Sequence, residues 1–330
     1  MGNILQDSNI LQNRLMGQDL VNWMKLTRVK GLGPKKMQNL LFSFKSIDKI
    51  MTAPSSELVA SGIFSQEMAE QLEQLKKASD ENFFNAIDAC EKNGITIITL
   101  FDGLYPERLR NTQSPPLMLF LLGDEKLLSN EKNIAVVGSR KAGKTALEFT
   151  YETSKELTKQ GFGIISGGAL GVDSAAHKAA LDANAKTICV LGTGFFKLYP
   201  EENTALFESI RKKGLLVSEH LPNFPGSRFS FLQRNRITSG LSSAVLVCAG
   251  EEKRSGTSTQ ASIAVSQGKP IFCPEPKLFE SEPSEREGIS YIIKEFKATT
   301  VPEDPVLAAK RIAGLLPSFK ARKPAQTRLV

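Results

Sequence analysis

The chain is poor in the residues that most often carry chemistry. Two histidines, His177 and His220, and four scattered cysteines, Cys90, Cys189, Cys248 and Cys273, stand among 330 residues. No CxxC pair occurs, so zinc-ligand spacing is missing. Three of the cysteines fall in strand-like runs and read as buried thiols of a reducing cytoplasm. No Ser/His/Asp set, carboxylate pair or Cys/His dyad is convincingly arranged. No catalytic residue, metal or cofactor is therefore expected. No apolar run approaches the roughly 20 residues of a membrane helix. The first residues, MGNILQDSNILQNRLM, lack the basic region and cleavage site of a signal peptide. The expectation is a cytoplasmic protein with no membrane contact.

What is present is ordinary for a globular chain: 41% hydrophobic and 23% charged residues, with a length that suggests two domains. Net charge is +7, which hints at a polyanionic partner. Residues 301–330 supply +4 of it and leave only +3 for the other 300. A nucleic-acid site in the body must then be a local patch.

Residues 1–93 read as a small all-helical module. Within it, Val29-Lys30-Gly31-Leu32-Gly33-Pro34-Lys35 has the pattern of a helix-hairpin-helix, with Lys30, Gly31, Gly33 and Lys35 placed to meet a phosphate. A C-cap glycine followed by a helix opened by Pro34 explains the same residues equally well. From residue 133 short apolar runs alternate with helical segments: 133–138, 162–166, 187–192, 215–219, 243–249 and 270–274 read as strands. Such alternation predicts an α/β fold, a Rossmann-like doubly wound and mostly parallel sheet over 94–297. Residues 275–290 read as a surface loop. Residues 298–330 read as a partly disordered basic tail, in which LAAKRIAGLL could be one helix and KARKPAQTRLV is the disordered part.

The loops after these strands are the candidate site, because ligands of such sheets bind at the carboxyl edge. The segment Ser166–His177, SGGALGVDSAAH, sets Ser166, Gly167, Gly168 and Gly171 before a helix whose Asp173 and His177 share a face. Free amides and a helix N-terminus favour an anion there. Gly138–Thr145, GSRKAGKT, matches P-loop spacing, so a nucleotide-binding or NTP-hydrolysing protein is the alternative reading. A P-loop enzyme also needs a strand-end acid for Mg²⁺, and only Glu219 and Glu251/Glu252 are available. Gly138, Ser139 and Arg140 could hold a phosphate without hydrolysis. Gly192 and Gly194 form another turn, followed by Phe195 and Phe196, which could stack on bases or pack in the core. Arg234 and Arg236 flank Asn235 just before a helix-like SGLSS; they suit phosphates, or form structural salt bridges. Ser255 and Gly256 open a further helix.

Together YPERL (105–109), SPPLMLFLLG (114–123), IAVVGSR (134–140), SGGALGVDSAAHKAAL (166–181), VLGTGFFKLYPEEN (190–203), LLVSEH (215–220), RNRITSGLS (234–242) and SGTSTQA (255–261) resemble the DNA-processing family called DprA or Smf. The resemblance implies an extended Rossmann-like domain behind a helical SAM-like domain. It also implies binding and protection of single-stranded DNA, transfer to a RecA-type recombinase in natural transformation, a homodimer, and no catalytic activity. The chain departs from the family pattern at Leu170, where Arg is usual, at Ala249, where Glu is usual, and at Glu275 within the family's VPG.

Overall fold

A computed structural model describes residues 15–250 and 255–320. The chain forms two compact units, Met1–Arg110 with Ser114–Phe120, and Asn111–Gln113 with Leu121–Val330.

The first unit holds α1 (Gly17–Leu26), α2 (Pro34–Phe44), α3 (Ile47–Thr52), α4 (Ser55–Ala60), α5 (Gln66–Lys77) and α6 (Glu81–Lys92), then β1 (Thr96–Thr99) and the short α7 (Glu107–Arg110). Trp23, Leu26, Met37, Leu40, Ile50, Leu58 and Leu72 are its fully buried centre. The unit runs past the expected boundary at residue 93 for a packing reason. Trp23 donates its indole N–H to the Leu117 carbonyl at 3.2 Å and meets Phe101 edge-on at 5.7 Å. Phe101, Leu117 and Met118, all beyond residue 93, thus complete the helical core. Strand β2 (Met118–Gly123) begins in the first unit and ends in the second.

The second unit continues with β3 (Asn133–Val137), α8 (Lys144–Lys159), β4 (Gly163–Ser166), α9 (Val172–Asp182), β5 (Thr187–Val190), α10 (Thr204–Lys213), β6 (Leu215–Ser218) and α11 (Arg228–Gly240). It ends with β7 (Ala244–Val247), α12 (Gly256–Ser266), β8 (Ile271–Pro274), α13 (Pro283–Phe296), β9 (Thr299–Val301) and α14 (Pro305–Lys320). Strands β3 to β9 lie in the order β6-β5-β4-β3-β7-β8-β9, and their pairings are parallel. In register, Ile134 faces Ile164 on one side and Ala244 on the other. Every residue of β3 to β8 is buried, which accounts for their near-continuous apolar sequences. The chain steps from β3 outward to β6, then returns to the other side of β3 for β7. The direction of winding reverses there, so right-handed crossovers put helices on both faces and open a crevice between the carboxyl ends of β3 and β7.

Two expectations are corrected. Residues 275–290 are not a loop: a 3₁₀ turn at Pro276–Phe279 buries Phe279, and α13 follows with Pro283 in its first turn. Residues 298–320 are not a tail apart from the core: the helix read in LAAKRIAGLL is α14, and it packs on the sheet. β9 pairs with β8, and Ala308, Ala309, Ile312 and Leu316 form one buried stripe of α14. The rest of the basic tail, 321–330, lies outside the described residues.

Candidate nucleic-acid interface

A cavity of about 700 Å³ opens at the β3/β7 crevice. It draws residues from five places: Gly138–Lys141 after β3, Gly167, Ala169 and Asp173 around the turn after β4, Tyr199 before α10, one face of α11, and the start of α12.

Its floor is a buried charge network. Asp173, in the first turn of α9, accepts the backbone N–H groups of Gly167 at 3.1 Å and Ala169 at 3.3 Å. The amides that the sequence left open for an anion are closed by the chain's own carboxylate. Arg234, buried on α11, donates from Nη1 to the Val190 carbonyl at 2.6 Å. Its guanidinium lies on Gly167, where a Cβ would stand 1.5 Å from Nη1. That glycine therefore seats an arginine. Burial pushes the Asp173 carboxyl above the ordinary carboxylate range, while the Arg234 charge pulls it back. Burial likewise lowers the Arg234 pKa, with Asp173 opposing. Arg234 Nε and Thr238 Oγ1 are buried without a hydrogen-bond partner among the described residues, and both residues line the cavity.

Phe229–Leu241 is not a turn followed by a short helix; 228–240 is one helix, opened by a reciprocal cap between Ser227 and Ser230. Residues 228, 231, 232, 235 and 238 recur at helical spacing and line the cavity. This face adds Arg228, Phe231, Leu232 and Thr238, which sequence reading missed; the signal was their i, i+3, i+4 spacing. Positions 234 and 236 are two apart, so their side chains point away from each other. Arg236 makes a tight ion pair with Glu219 instead of lining the cavity. It is a structural salt bridge. Tyr199 and Phe231 sit with ring centroids 5.4 Å apart at the cavity wall. Phe195 is buried and Phe196 exposed, and neither lines the cavity. Arg140, Lys141 and Arg228 are exposed, and among the described residues none has a carboxylate within 4 Å. Four cations thus face one buried acid.

The P-loop match does not form a phosphate cradle. The Gly143 amide donates to Glu285 Oε1 at 2.6 Å and the Thr145 amide to Glu282 Oε1 at 3.3 Å. Carboxylates from the start of α13 occupy the N-terminus of α8, where a phosphate would sit. Lys141 donates its amide to Ser139 Oγ, and Lys144 points to Glu148 at 3.5 Å on the surface. Glu251 and Glu252 lie outside the described residues.

Of the other expected site residues, Asn235, Ser255 and Gly256 line the cavity. Gly256 and Thr257 supply the first amides of α12, which have no acceptor within the helix. Ser166 is buried and donates to the Val136 carbonyl at 2.7 Å. Gly168 packs beneath Phe207 and Cys189. Gly171, at φ +77°, passes so close to the Ser139 carbonyl that a Cβ would lie 2.4 Å from it. Gly192 abuts Phe231, and Gly194 abuts the Leu221 carbonyl. These five shape the cavity's supports and do not face into it.

His177 is corrected outright: it is fully buried, with Nδ1 2.7 Å from Thr187 Oγ1. Thr187 gives its own proton to the Ile164 carbonyl, so Nδ1–H is the donor. Burial, helped by Arg234, drops its pKa to about 3. It is a neutral core residue.

In the first unit, Lys30, Gly31 and Lys35 are exposed, and Gly33 caps α2. Leu170 is 39% exposed and lines a small recess with Arg140, Tyr199 and Phe231. Ala249 is buried with its backbone against Gly138, and Glu275 pairs with Lys277 at 3.1 Å. Among the described residues no three His, Cys, Asp or Glu side chains gather to hold a metal, and no helix is long and apolar enough to cross a membrane.

The fold and cavity define a class: a doubly wound α/β protein with a cationic, aromatic-walled crevice at its topological switch point. The chain belongs to the DNA recombination-mediator protein A family, whose model matches residues 96–309. It is similar to the DNA processing protein DprA of Bacillus subtilis, 37% identical over 192 residues covering 58% of this chain and 64% of that one. It is also similar to the protein Smf of Synechocystis, 33% identical over 253 residues covering 76% and 63%. The matches thus span less than two thirds of the length of these two relatives. Among solved structures, DNA processing protein A of Streptococcus pneumoniae matches with TM-score 0.74 and 26% identity over 92% of this chain and 98% of that one. The Helicobacter pylori protein, described for its single-stranded DNA binding mode, matches with TM-score 0.56 and 28% identity over 64% and 93%.

Proposed function

We propose that this chain binds single-stranded DNA in the β3/β7 cavity, shields it, and hands it to a RecA-type recombinase during natural transformation. It acts as a cytoplasmic homodimer and catalyses no reaction. The cavity carries the reading: Arg140, Lys141 and Arg228 at its mouth, Arg234 on its floor, and the Tyr199/Phe231 pair at its wall. Cations meet phosphates, and the rings offer a face to any unpaired base, which a duplex keeps stacked. The family description as a recombination mediator supports the handover, and the Helicobacter pylori relative supports the choice of a single strand. Nucleotide hydrolysis is disfavoured because Glu282 and Glu285 fill the α8 N-terminus. A titration with a single-stranded oligonucleotide, its duplex and ATP tests the proposal. Tighter binding of the single strand, weakened by salt, is expected. Equal or tighter duplex binding, or DNA-stimulated phosphate release lost in Lys144→Ala, would contradict it.

A further inference from the structure

The first unit carries a charge segregation that the cavity does not use. The chain has 35 acids in 330 residues, yet residues 20–47 contain none and hold six cations. Lys25 is consumed by its pair with Asp80. The other five, Arg28, Lys30, Lys35, Lys36 and Lys45, are all exposed. Among the described residues none of them has a carboxylate within 4 Å. The acids of neighbouring α5 do not neutralise them: Glu67 and Glu70 accept from the amides of Gln71 and Gln66.

The exposed face of α2 has an order as well as a charge. Met37, Leu40 and Leu41 turn inward. Lys35, Asn39 and Phe42 follow at i, i+4 and i+7 on the outer face. Phe42 is 60% exposed, and Lys45 Nζ stands 4.3 Å from its ring centroid. What sets this exposed ring apart is its company: Lys35 precedes it on the same helix face and Lys45 lies against it. Cations alternating with an open ring are the chemistry that tracks a phosphate backbone and stacks an unpaired base. A duplex would offer the ring no base face, and an acidic protein partner would leave oligonucleotide affinity and salt slope untouched in the variants below.

We propose that this α1–α2 face is a second binding surface for single-stranded nucleic acid, separate from the cavity. It rests on the reading of the cavity as a single-strand site only in that both then engage one ligand. Because the two surfaces belong to one chain, occupying one raises the effective concentration of a long strand at the other. A strand too short to reach both gains nothing.

The experiment uses the full chain and two oligonucleotides, one of about 6 nucleotides and one of about 30, against single-site footprints of roughly 4–16. Lys30→Ala/Lys35→Ala/Phe42→Ala should weaken the long strand by about tenfold and lower its salt slope by about 1.4, since each lost single-strand phosphate contact removes roughly 0.7. Cavity-bound short strand should be unaffected, with melting temperature unchanged. Arg140→Ala/Arg228→Ala should weaken both strands and leave a residual long-strand affinity that depends on Lys30, Lys35 and Phe42. Unchanged long-strand affinity and salt slope in the first variant would overturn the inference. So would a residual affinity in the second variant that favours duplex over single strand. Failure of the cavity reading looks different: short-strand affinity that ignores Arg140 and Arg228.

Discussion

Gly167→Ala tests the floor of the cavity most sharply. The added methyl would stand 1.5 Å from Arg234 Nη1 and 2.1 Å from Cζ, so the guanidinium must leave. Its bond to the Val190 carbonyl, 2.6 Å long, is then lost, and Asp173 keeps its burial without the charge that offsets it. A hydrogen bond to a charged group contributes about 1.5–3 kcal/mol, and separating buried opposite charges adds to that cost. The adjoining cavity gives the side chain room to swing out, which limits the penalty to about 3 kcal/mol. In a unit of this size that corresponds to a fall in Tm of roughly 6–12 °C. Chemical denaturation of Gly167→Ala, Arg234→Ala and the double variant forms the assay. Arg234→Ala should be destabilising alone, and Gly167→Ala should add almost nothing to it, because the clash partner is gone. Equal costs of Gly167→Ala in both backgrounds would refute the seat.

Other outcomes follow from the same geometry. His177 has a folded pKa near 3 against about 6.5 unfolded, so below pH 6.5 the unfolded chain takes up a proton that the folded chain refuses. The His177 contribution to stability should be level above pH 6.5 and fall by about 1.4 kcal/mol per unit below it, about 2 kcal/mol by pH 5; a pH dependence of stability identical in His177→Gln would contradict this. Arg236→Ala should reduce stability through Glu219 while leaving DNA affinity and salt slope unchanged, and a loss of affinity at constant Tm would return this arginine to the site. Glu282→Ala/Glu285→Ala should destabilise the start of α8, measured by hydrogen exchange at Gly143 and Thr145; unaltered protection there would show that these side chains do not cap it.

The parallel sheet was legible because its strands are apolar runs, most of them followed closely by a glycine, and only the three-residue β9 escaped. The site's outline was legible too, since turns after strands in such folds gather at one edge. What was not legible is which polar groups are already engaged. Nothing local in SGGALGVD says that Asp173 closes the turn, and Glu285 reaches Gly143 from 142 residues away. Helix α11 was missed because its buried face is polar, with Ser230, Arg234 and Thr238 inward, so apolar periodicity is absent. Its cap lacks the acidic residue that usually marks a helix start. Once the helix is known, the split between Arg234 and Arg236 follows from their spacing. The spacing that puts His177 on one helix face with Asp173 does not say which way that face turns; it turns inward.

The proposed contact is between the exposed cations of the β3/β7 cavity and the phosphates of a single strand. It is tested most directly by the salt dependence of oligonucleotide binding in Arg140→Ala/Arg228→Ala beside the unaltered chain. Each arginine that contacts a phosphate contributes roughly 0.7 to the slope of log affinity against log salt. A slope lower by about 1.4, weaker binding to every sequence alike, and an unchanged Tm are expected. A folded variant with the slope and affinity of the unaltered chain would contradict it.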